Sequence, residues 1–310
     1  MGPDCYHNKP GCQTGDYIRL IRQYKNGFTV LQHNDASIAT TAWLPASFLE
    51  LTMSQPYLPL AGKRGLIVGV ANANSIAYGC AKVMHTLGAE VAITYLNEKA
   101  EKHVRPLAEA VDASLVLPLN VEAPDELEKV FAAIGESWGQ LDFVIHSIAF
   151  CPMDDLHGRV TDCSLSGFQQ AMRVSCYSFI EMARLAEPLM SQGGTLITMS
   201  YYGADKVVEN YNIMGPVKAA LESSVRYMAH ELGPKGIRVH TVSPGPLKTR
   251  AASGIAHFDQ LIDSAIERAP QNRLVDIDDV GNVCAFLVSD AARALTGEVT
   301  YVDGGFNIMA

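Results

Sequence analysis

Gly65-Leu-Ile-Val-Gly69-Val-Ala-Asn-Ala-Asn-Ser75-Ile-Ala-Tyr-Gly79 is the stretch that decides the fold. Gly65 to Val70 is a short, uninterrupted apolar run, as expected of a parallel strand covered on both faces. Ala71 to Ser75 are turn formers, and Ile76 to Leu87 reads as a helix closed by Gly88. A strand that passes through such a loop into a helix N-terminus offers backbone N–H groups to a phosphate. Gly69 permits the tight turn, Ser75 can hydrogen-bond the anion, and Gly79 suits close helix–strand packing. The spacing is Gly69-x5-Ser75-Ile76-Ala77-x-Gly79, not Gly-x-Gly-x-x-Gly, and on its own it is made of ordinary turn residues.

The same alternation continues downstream. Further strands are predicted at Glu90–Tyr95, Leu115–Leu119, Leu141–His146, Thr195–Met199, Ile237–Val242 and Glu298–Val302. Helices are predicted between them, at Glu98–Val111, Pro124–Trp138, Leu165–Met190 and Tyr211–Leu232. Seven strands separated by crossovers predict an α/β fold with a doubly wound parallel sheet, Rossmann-like, whose ligands sit at the carboxyl ends of the strands. No linker or internal repeat interrupts residues 57–310.

Upstream the character changes. Residues 1–52 balance their charges, Lys9, Arg19, Arg22 and Lys25 against Asp4, Asp16, Asp35 and Glu50. Tyr17–Arg22 and Phe28–Leu31 flank Lys25-Asn26-Gly27, and Asn-Gly between two β-rich runs signals a hairpin with positive φ at both turn residues. Trp43–Pro45 and Phe48–Leu51 could add short strands. Residues 1–52 are thus a short β-rich N-terminal extension, a small SH3-like appendage, or else Met53 is the natural start and the extension an upstream-start artefact. No chemistry is assigned to it. The catalytic domain is taken as residues 53–310.

Composition narrows the function classes. Of 310 residues, 48% are hydrophobic and 18% charged, a soluble globular balance. The net charge of −9 argues against nucleic acid or an anionic membrane as partner, while leaving room for a local basic patch that meets an acidic carrier. The sequence holds no run of about 18 apolar residues and no leader pattern. The seven cysteines are scattered, with no Cys-x2-Cys pair, which fits reduced thiols in the cytoplasm and no metal site.

The chemistry concentrates at Asn210-Tyr211-Asn212-Ile213-Met214-Gly215-Pro216-Val217-Lys218. On a helix, seven positions make nearly two turns, so Tyr211 and Lys218 would share a face about 10 Å apart along the axis. A phenol near a fixed cation is an oxyanion-stabilising pair. By itself Tyr-x6-Lys reads as readily as a surface tyrosine and a solvated lysine.

Six segments in order remove that ambiguity: Gly69 to Gly79, His146-Ser-Ile-Ala-Phe-Cys-Pro152, Ser200-Tyr-Tyr-Gly-Ala204, Asn210 to Gly215 with Lys218, Pro244-Gly-Pro-Leu-Lys-Thr249 and Val302-Asp-Gly-Gly-Phe306. The series resembles the bacterial enoyl-acyl-carrier-protein reductases of the short-chain dehydrogenase/reductase superfamily, over about residues 57–310. The resemblance implies NADH-dependent reduction of a trans-2-enoyl thioester on acyl carrier protein, in fatty acid elongation, by a homotetramer built on the helices near 165–190 and 211–232. It implies that Tyr211 hydrogen-bonds the enolate oxygen, that Lys218 binds the nicotinamide ribose, and that Tyr201, not its neighbour Tyr202, is a second active-site tyrosine. Gly69, Ser75 and Ile76 would line the phosphates and ribose, and Asn120 and Val121 the adenine, with Asn120 standing where the family often has Asp. Ile148 would contact the nicotinamide-side ribose. Leu247, Lys248, Thr249, Arg250 and Ala251 would pass near the nicotinamide and pyrophosphate. Cys151 would meet substrate. Leu96, at an often polar position near the adenosine, offers no ribose contact. No arginine follows that strand directly to hold a 2′-phosphate, which favours NADH over NADPH, with Lys99 as the opposing signal. Residues 251–268 would form a flap over the acyl chain, with Ile255, Phe258 and Ile262 at helical spacing.

Two rivals remain at this stage. A ketoreductase of the same superfamily would carry Tyr-x3-Lys, but Gly215 stands four residues after Tyr211. A non-catalytic dinucleotide sensor on the same fold would have no use for Tyr201, Tyr211 and Lys218 together.

Overall fold

The computed structural model describes residues 18–24, 27–32, 42–43, 58–249 and 258–309. Its contacts divide the chain into two units, Met1–Tyr57 and Leu58–Ala310. In the first, β1 (Ile18–Tyr24) pairs antiparallel with β2 (Gly27–Gln32), which pairs antiparallel with β3 (Ala42–Trp43). The expected hairpin is present, with Tyr24 paired to Gly27, so Gly27 belongs to the ladder and not to the turn; Lys25 and Asn26 lie outside the described residues. The run at Phe48–Leu51 lies outside the described residues.

The second unit carries the parallel sheet. Its strands are β4 (Arg64–Val68), β5 (Glu90–Tyr95), β6 (Leu115–Pro118), β7 (Phe143–His146), β8 (Gly194–Met199), β9 (Ile237–Pro244) and β10 (Val299–Val302). They are ordered β10-β9-β8-β7-β4-β5-β6, with every neighbouring pair parallel. The order reverses direction between β4 and β7, so the crevice at their carboxyl ends is the topological switch point. Each strand feeds both faces. Leu66, Ala92, Val144 and Leu196 enter one core cluster, while Ile67, Val91, Ile93, Phe143, Ile145 and Ile197 enter the other. That two-sided burial explains why the strands read as continuous apolar runs and not as alternating ones.

Among the helices, α1 (Ile76–Thr86), α2 (Glu98–Glu109) and α3 (Glu126–Trp138) follow the first three strands of the sheet. A short α4 (Met153–Leu156) follows β7. The long helix expected at Leu165–Met190 is interrupted. It runs as α5 (Leu165–Met172), a π-helical turn at Arg173–Tyr177, α6 (Ser178–Ala186) and a 3-10 turn at Glu187–Leu189. At the π turn, buried Ser175 accepts from the Phe150 N–H (2.9 Å) and donates to the Phe150 carbonyl (3.1 Å), so the turn is tied to the loop after β7. A π turn inserted at such a place is a common functional device.

A second correction bears on the site. The helix expected from Tyr211 begins instead at Met214, as α7 (Met214–Leu232). Asn210 and Asn212 take positive φ, 63° and 43°, which the short polar side chain of Asn tolerates in a turn but which cannot continue a helix. Pro216 falls in the first turn of α7, where its missing N–H costs nothing. The chain closes with α8 (Phe258–Arg268) and α9 (Ile277–Val288). No described helix is long and apolar enough to cross a membrane.

Candidate active site

The loop after β4 is shaped for an anion. Gly69 has φ +112°, and a Cβ there would lie 2.2 Å from the Ser147 carbonyl oxygen and 3.1 Å from Ile148 Cγ2. Only glycine lets the first loop lie directly against the Ser147-Ile148 segment that follows β7. Ser75 Oγ accepts from the N–H groups of Ala71 and Asn72, both at 3.0 Å, and so folds the loop on itself. Its acceptor capacity is engaged, and its proton is left to donate to a phosphate oxygen. Ser75 also precedes α1, whose first turn contains no acidic residue, so the helix N-terminus keeps its positive end. These features fit a dinucleotide phosphate. Gly79, however, packs against a helix and not a strand. A Cβ there would lie 2.3 Å from the Ile277 carbonyl, and one at Gly281 would lie 2.7 Å from the Gly79 carbonyl, so α1 and α9 cross in backbone contact.

Further along the same edge, Leu96 lies just past β5 and is 57% exposed, and its neighbour Asn97 caps α2 by accepting from Ala100 N–H. Beyond β6, the Asn120 side chain is engaged, accepting from Glu122 N–H at 3.0 Å, while the Asn120 backbone N–H donates to the Glu126 carboxylate at 2.6 Å. Val121 is buried, and its carbonyl accepts from Arg173, which pairs with Glu181. Leu247 is buried in the second core cluster, Lys248 is exposed, and Thr249 follows in a tight turn. Arg250 and Ala251, with the start of the expected flap, lie outside the described residues. The rest of that flap is α8, with Ile262 and Ala265 turned inward.

At the reacting end, Lys218 is buried, 4% exposed, and donates to the Met199 carbonyl at 2.7 Å, where β8 stops. Burial brings its ammonium down to about 8. Tyr211 is buried in the turn before α7, and Tyr201 follows β8 by two residues. Their rings meet edge to face, centroids 4.9 Å apart and planes at 66°. Burial pushes both phenols well above the ordinary tyrosine range, so both remain proton donors at neutral pH. The Tyr201 hydroxyl is fully enclosed and has no hydrogen-bond partner among the described residues. Tyr202 points elsewhere, its ring 5.6 Å from Phe306, which α8 also contacts through Ala265 and Arg268. The two adjacent tyrosines are thus separated by geometry.

Cys151 is buried, and burial raises its thiol to about 11, so it offers a small uncharged surface and not a nucleophile. His146, named from the sequence without a role, sits at the end of β7. It is wholly buried, and burial, followed by the Lys218 charge, lowers it to about 3. Ser178 Oγ donates to the Val174 carbonyl, so it accepts from His146 Nε2–H at 2.9 Å, leaving Nδ1 to accept from Thr198 at 2.8 Å. The only signal in the sequence was a polar residue ending an apolar strand.

Comparison with known proteins accounts for this arrangement. The profile of the family described as enoyl-(acyl carrier protein) reductase matches residues 69–307. An NADH-dependent enoyl-(acyl-carrier-protein) reductase of Rickettsia bellii is 45% identical over 250 residues, 81% of this chain and 95% of its own. One from Rhizobium meliloti is 47% identical over 247 residues, 80% and 92%. The crystal structure of the Anaplasma phagocytophilum reductase in complex with NAD superposes with a TM-score of 0.79 at 45% identity, covering 83% of this chain and 98% of that one. The loop at Gly69, the paired tyrosines and the buried lysine all fall within the matched span, and the chain belongs to the enoyl-(acyl-carrier-protein) reductase family.

Proposed function

We propose that the paired phenols and the buried lysine are the reacting end of an NADH-dependent enoyl-(acyl-carrier-protein) reductase, an oxidoreductase of fatty acid biosynthesis. NADH, when bound, supplies the hydride that adds to C3 of the trans-2-enoyl thioester. Negative charge then develops on the thioester oxygen, and Tyr211 donates a hydrogen bond to it, an interaction worth more in the transition state than in the ground state. Tyr201 stands against Tyr211, ring edge to ring face. Lys218 binds the ribose hydroxyls and sets a positive field beneath them. Gly69, Ser75 and Ile76 hold the phosphates, Ile148 the ribose, Asn120 and Val121 the adenine, and Leu247 to Ala251 pass by the nicotinamide. Cys151 lines the substrate path. The observation that carries this reading is the edge-to-face contact of Tyr201 and Tyr211, together with a lysine 4% exposed whose ammonium is held by the carbonyl of Met199, two residues before Tyr201.

The exposed Leu96 and the capping role of Asn97 leave a ribose 2′-phosphate without a dedicated partner after β5, which supports NADH. We place the catalytic unit at residues 53–310 and treat residues 1–52 as an appendage without chemistry. Leu165, Phe168, Tyr177 and Tyr227 are exposed apolar side chains on and beside α5, α6 and α7, which supports a homotetramer joined through those helices. We further place the enzyme in the cytoplasm, with acyl carrier protein as its partner. Parallel assays with NADH and NADPH test the reading. Oxidation of NADH with crotonyl thioester and not with acetoacetyl thioester is the expected result, and the reverse preference overturns it.

A further inference from the structure

One turn beyond Lys218 on α7 stands Glu222, which none of the chemistry above uses. Its Oε1 accepts from Ser200 Oγ at 2.5 Å, a separation typical of a hydroxyl bound to an ionised carboxylate. Ser200 lies between Met199, whose carbonyl holds the Lys218 ammonium, and Tyr201. A single short segment therefore touches the lysine, the carboxylate and the second phenol.

The charges around Lys218 make this arrangement consequential. An ammonium at that depth needs a counter-charge. Two other titratable groups face it: Cys176 from the π turn and His146 from β7. Burial keeps the Cys176 thiol protonated and His146 neutral, so among the described residues Glu222 alone brings a negative charge to bear on Lys218. Glu222 in turn is faced by Lys218 and Arg226 on its own helix, Ser200 after β8, Asp205 just beyond, Tyr211 in the turn before α7, and Tyr301 on β10. Burial raises its carboxyl, and the Ser200 hydrogen bond, Arg226 and Lys218 pull the other way.

The geometry points to Glu222 as a positioning residue: one helical turn from Lys218 and gripped by Ser200, its carboxylate keeps the buried ammonium charged for the cofactor. This rests on the reading of Lys218 as the ribose ligand. Glu222→Gln keeps an acceptor for Ser200 and removes only the charge.

The test is the pH dependence of NADH affinity in full-length enzyme, read by fluorescence titration alongside kcat and KM. In the wild type, affinity should weaken as Lys218 loses its proton, with a midpoint near 8. Lys218→Ala should abolish that limb. Glu222→Gln should move it to lower pH by about one unit, the low end of what a close opposite charge does, and Glu222→Asp should restore it. At pH 8 the Gln variant should therefore bind NADH several-fold more weakly, yet match the wild type near pH 6. Ser200→Ala, which frees the carboxylate without deleting it, should move the limb in the same direction and serves where the Gln variant does not fold. A limb that Lys218→Ala abolishes but Glu222→Gln leaves in place overturns the role of Glu222 alone. So does an equal loss of affinity at every pH, the mark of a merely structural residue. Wild-type affinity and an unchanged limb in Lys218→Ala would show that the lysine itself had been misread, and the proposal would go with it.

Discussion

Removing the Tyr201 hydroxyl should make the protein more stable and less active. That oxygen is enclosed by protein and has no partner among the described residues, while the ring is held against Tyr211 at 4.9 Å. A buried hydroxyl without a hydrogen bond costs about 1–3 kcal/mol relative to water. Tyr201→Phe deletes that penalty and keeps the ring contact, so the apoenzyme should gain about 1 kcal/mol. For a unit of this size the gain corresponds to a rise in Tm of about 2–4 °C. Such a cost is tolerable where the hydroxyl acquires a partner from the substrate, and turnover of crotonyl thioester should fall by roughly tenfold or more once it is gone. Scanning calorimetry of the apoenzyme and steady-state kinetics on the same preparation provide both readings. Tyr202→Phe is the control, because Tyr202 packs on Phe306 and away from Tyr211, and it should leave kcat unchanged. A lower Tm in Tyr201→Phe would mean that the hydroxyl is satisfied in the resting enzyme. A higher Tm with undiminished kcat would mean that it never reaches the substrate. Either result refutes the reasoning.

Three other perturbations have defined outcomes. Tyr211→Phe should lower kcat by roughly 10²–10³-fold, the usual effect of losing one oxyanion donor, with NADH affinity by titration unchanged. Gly203→Ala would place a Cβ 2.5 Å from Tyr211 Cδ1, so the phenol must shift, and kcat should drop far more than thermal stability. Finally, His146 and His240 are buried and held down to about 3 and about 4, chiefly by desolvation. Between those values and about 6.5 the unfolded chain binds protons that the folded one does not. Stability should therefore fall as pH drops below about 6.5, and urea midpoints for His146→Gln should show a shallower acid slope.

The sequence made the sheet legible because burial on both faces leaves a plain mark, short apolar runs such as Leu66–Val68 and Val91–Ile93, separated by turn residues. Elements whose form depends on distant partners were misjudged. The break in the long helix at Arg173–Tyr177 is set by the contact of Ser175 with Phe150, residues 25 positions apart. Nothing in the local pattern of Ala171 to Phe179 announces it. In the same way Gly79 was read against its own strand, when its constraint comes from Ile277. The candidate site residues came from the order of the segments and not from local physics, so His146, quoted in one of those segments, received no role: its burial and its bonds to Thr198 and Ser178 depend on distant partners.

The spacing of Tyr211 and Lys218 was read from a helix geometry that the structure does not have. The two were placed on one helix face, but Tyr211 precedes the helix, in a turn fixed by left-handed Asn210 and Asn212 and by the Asn212 side chain, which donates to the Leu156 carbonyl at 2.6 Å. What links the two is the segment after β8: the Met199 carbonyl holds the Lys218 ammonium, and Tyr201, two residues on, meets the Tyr211 ring. Gly203 leaves room for the Tyr211 ring, and Gly215 leaves room for the Gly203 carbonyl, which a Cβ at 215 would approach to 2.9 Å. The 3-10 turn at Tyr202–Ala204 can therefore press against the first turn of α7. A lysine at position 215, as Tyr-x3-Lys would require, would push that turn away and separate the two phenols. The longer spacing is thus a packing consequence: the position one turn after Tyr211 must be small so that a second tyrosine can stand beside the first.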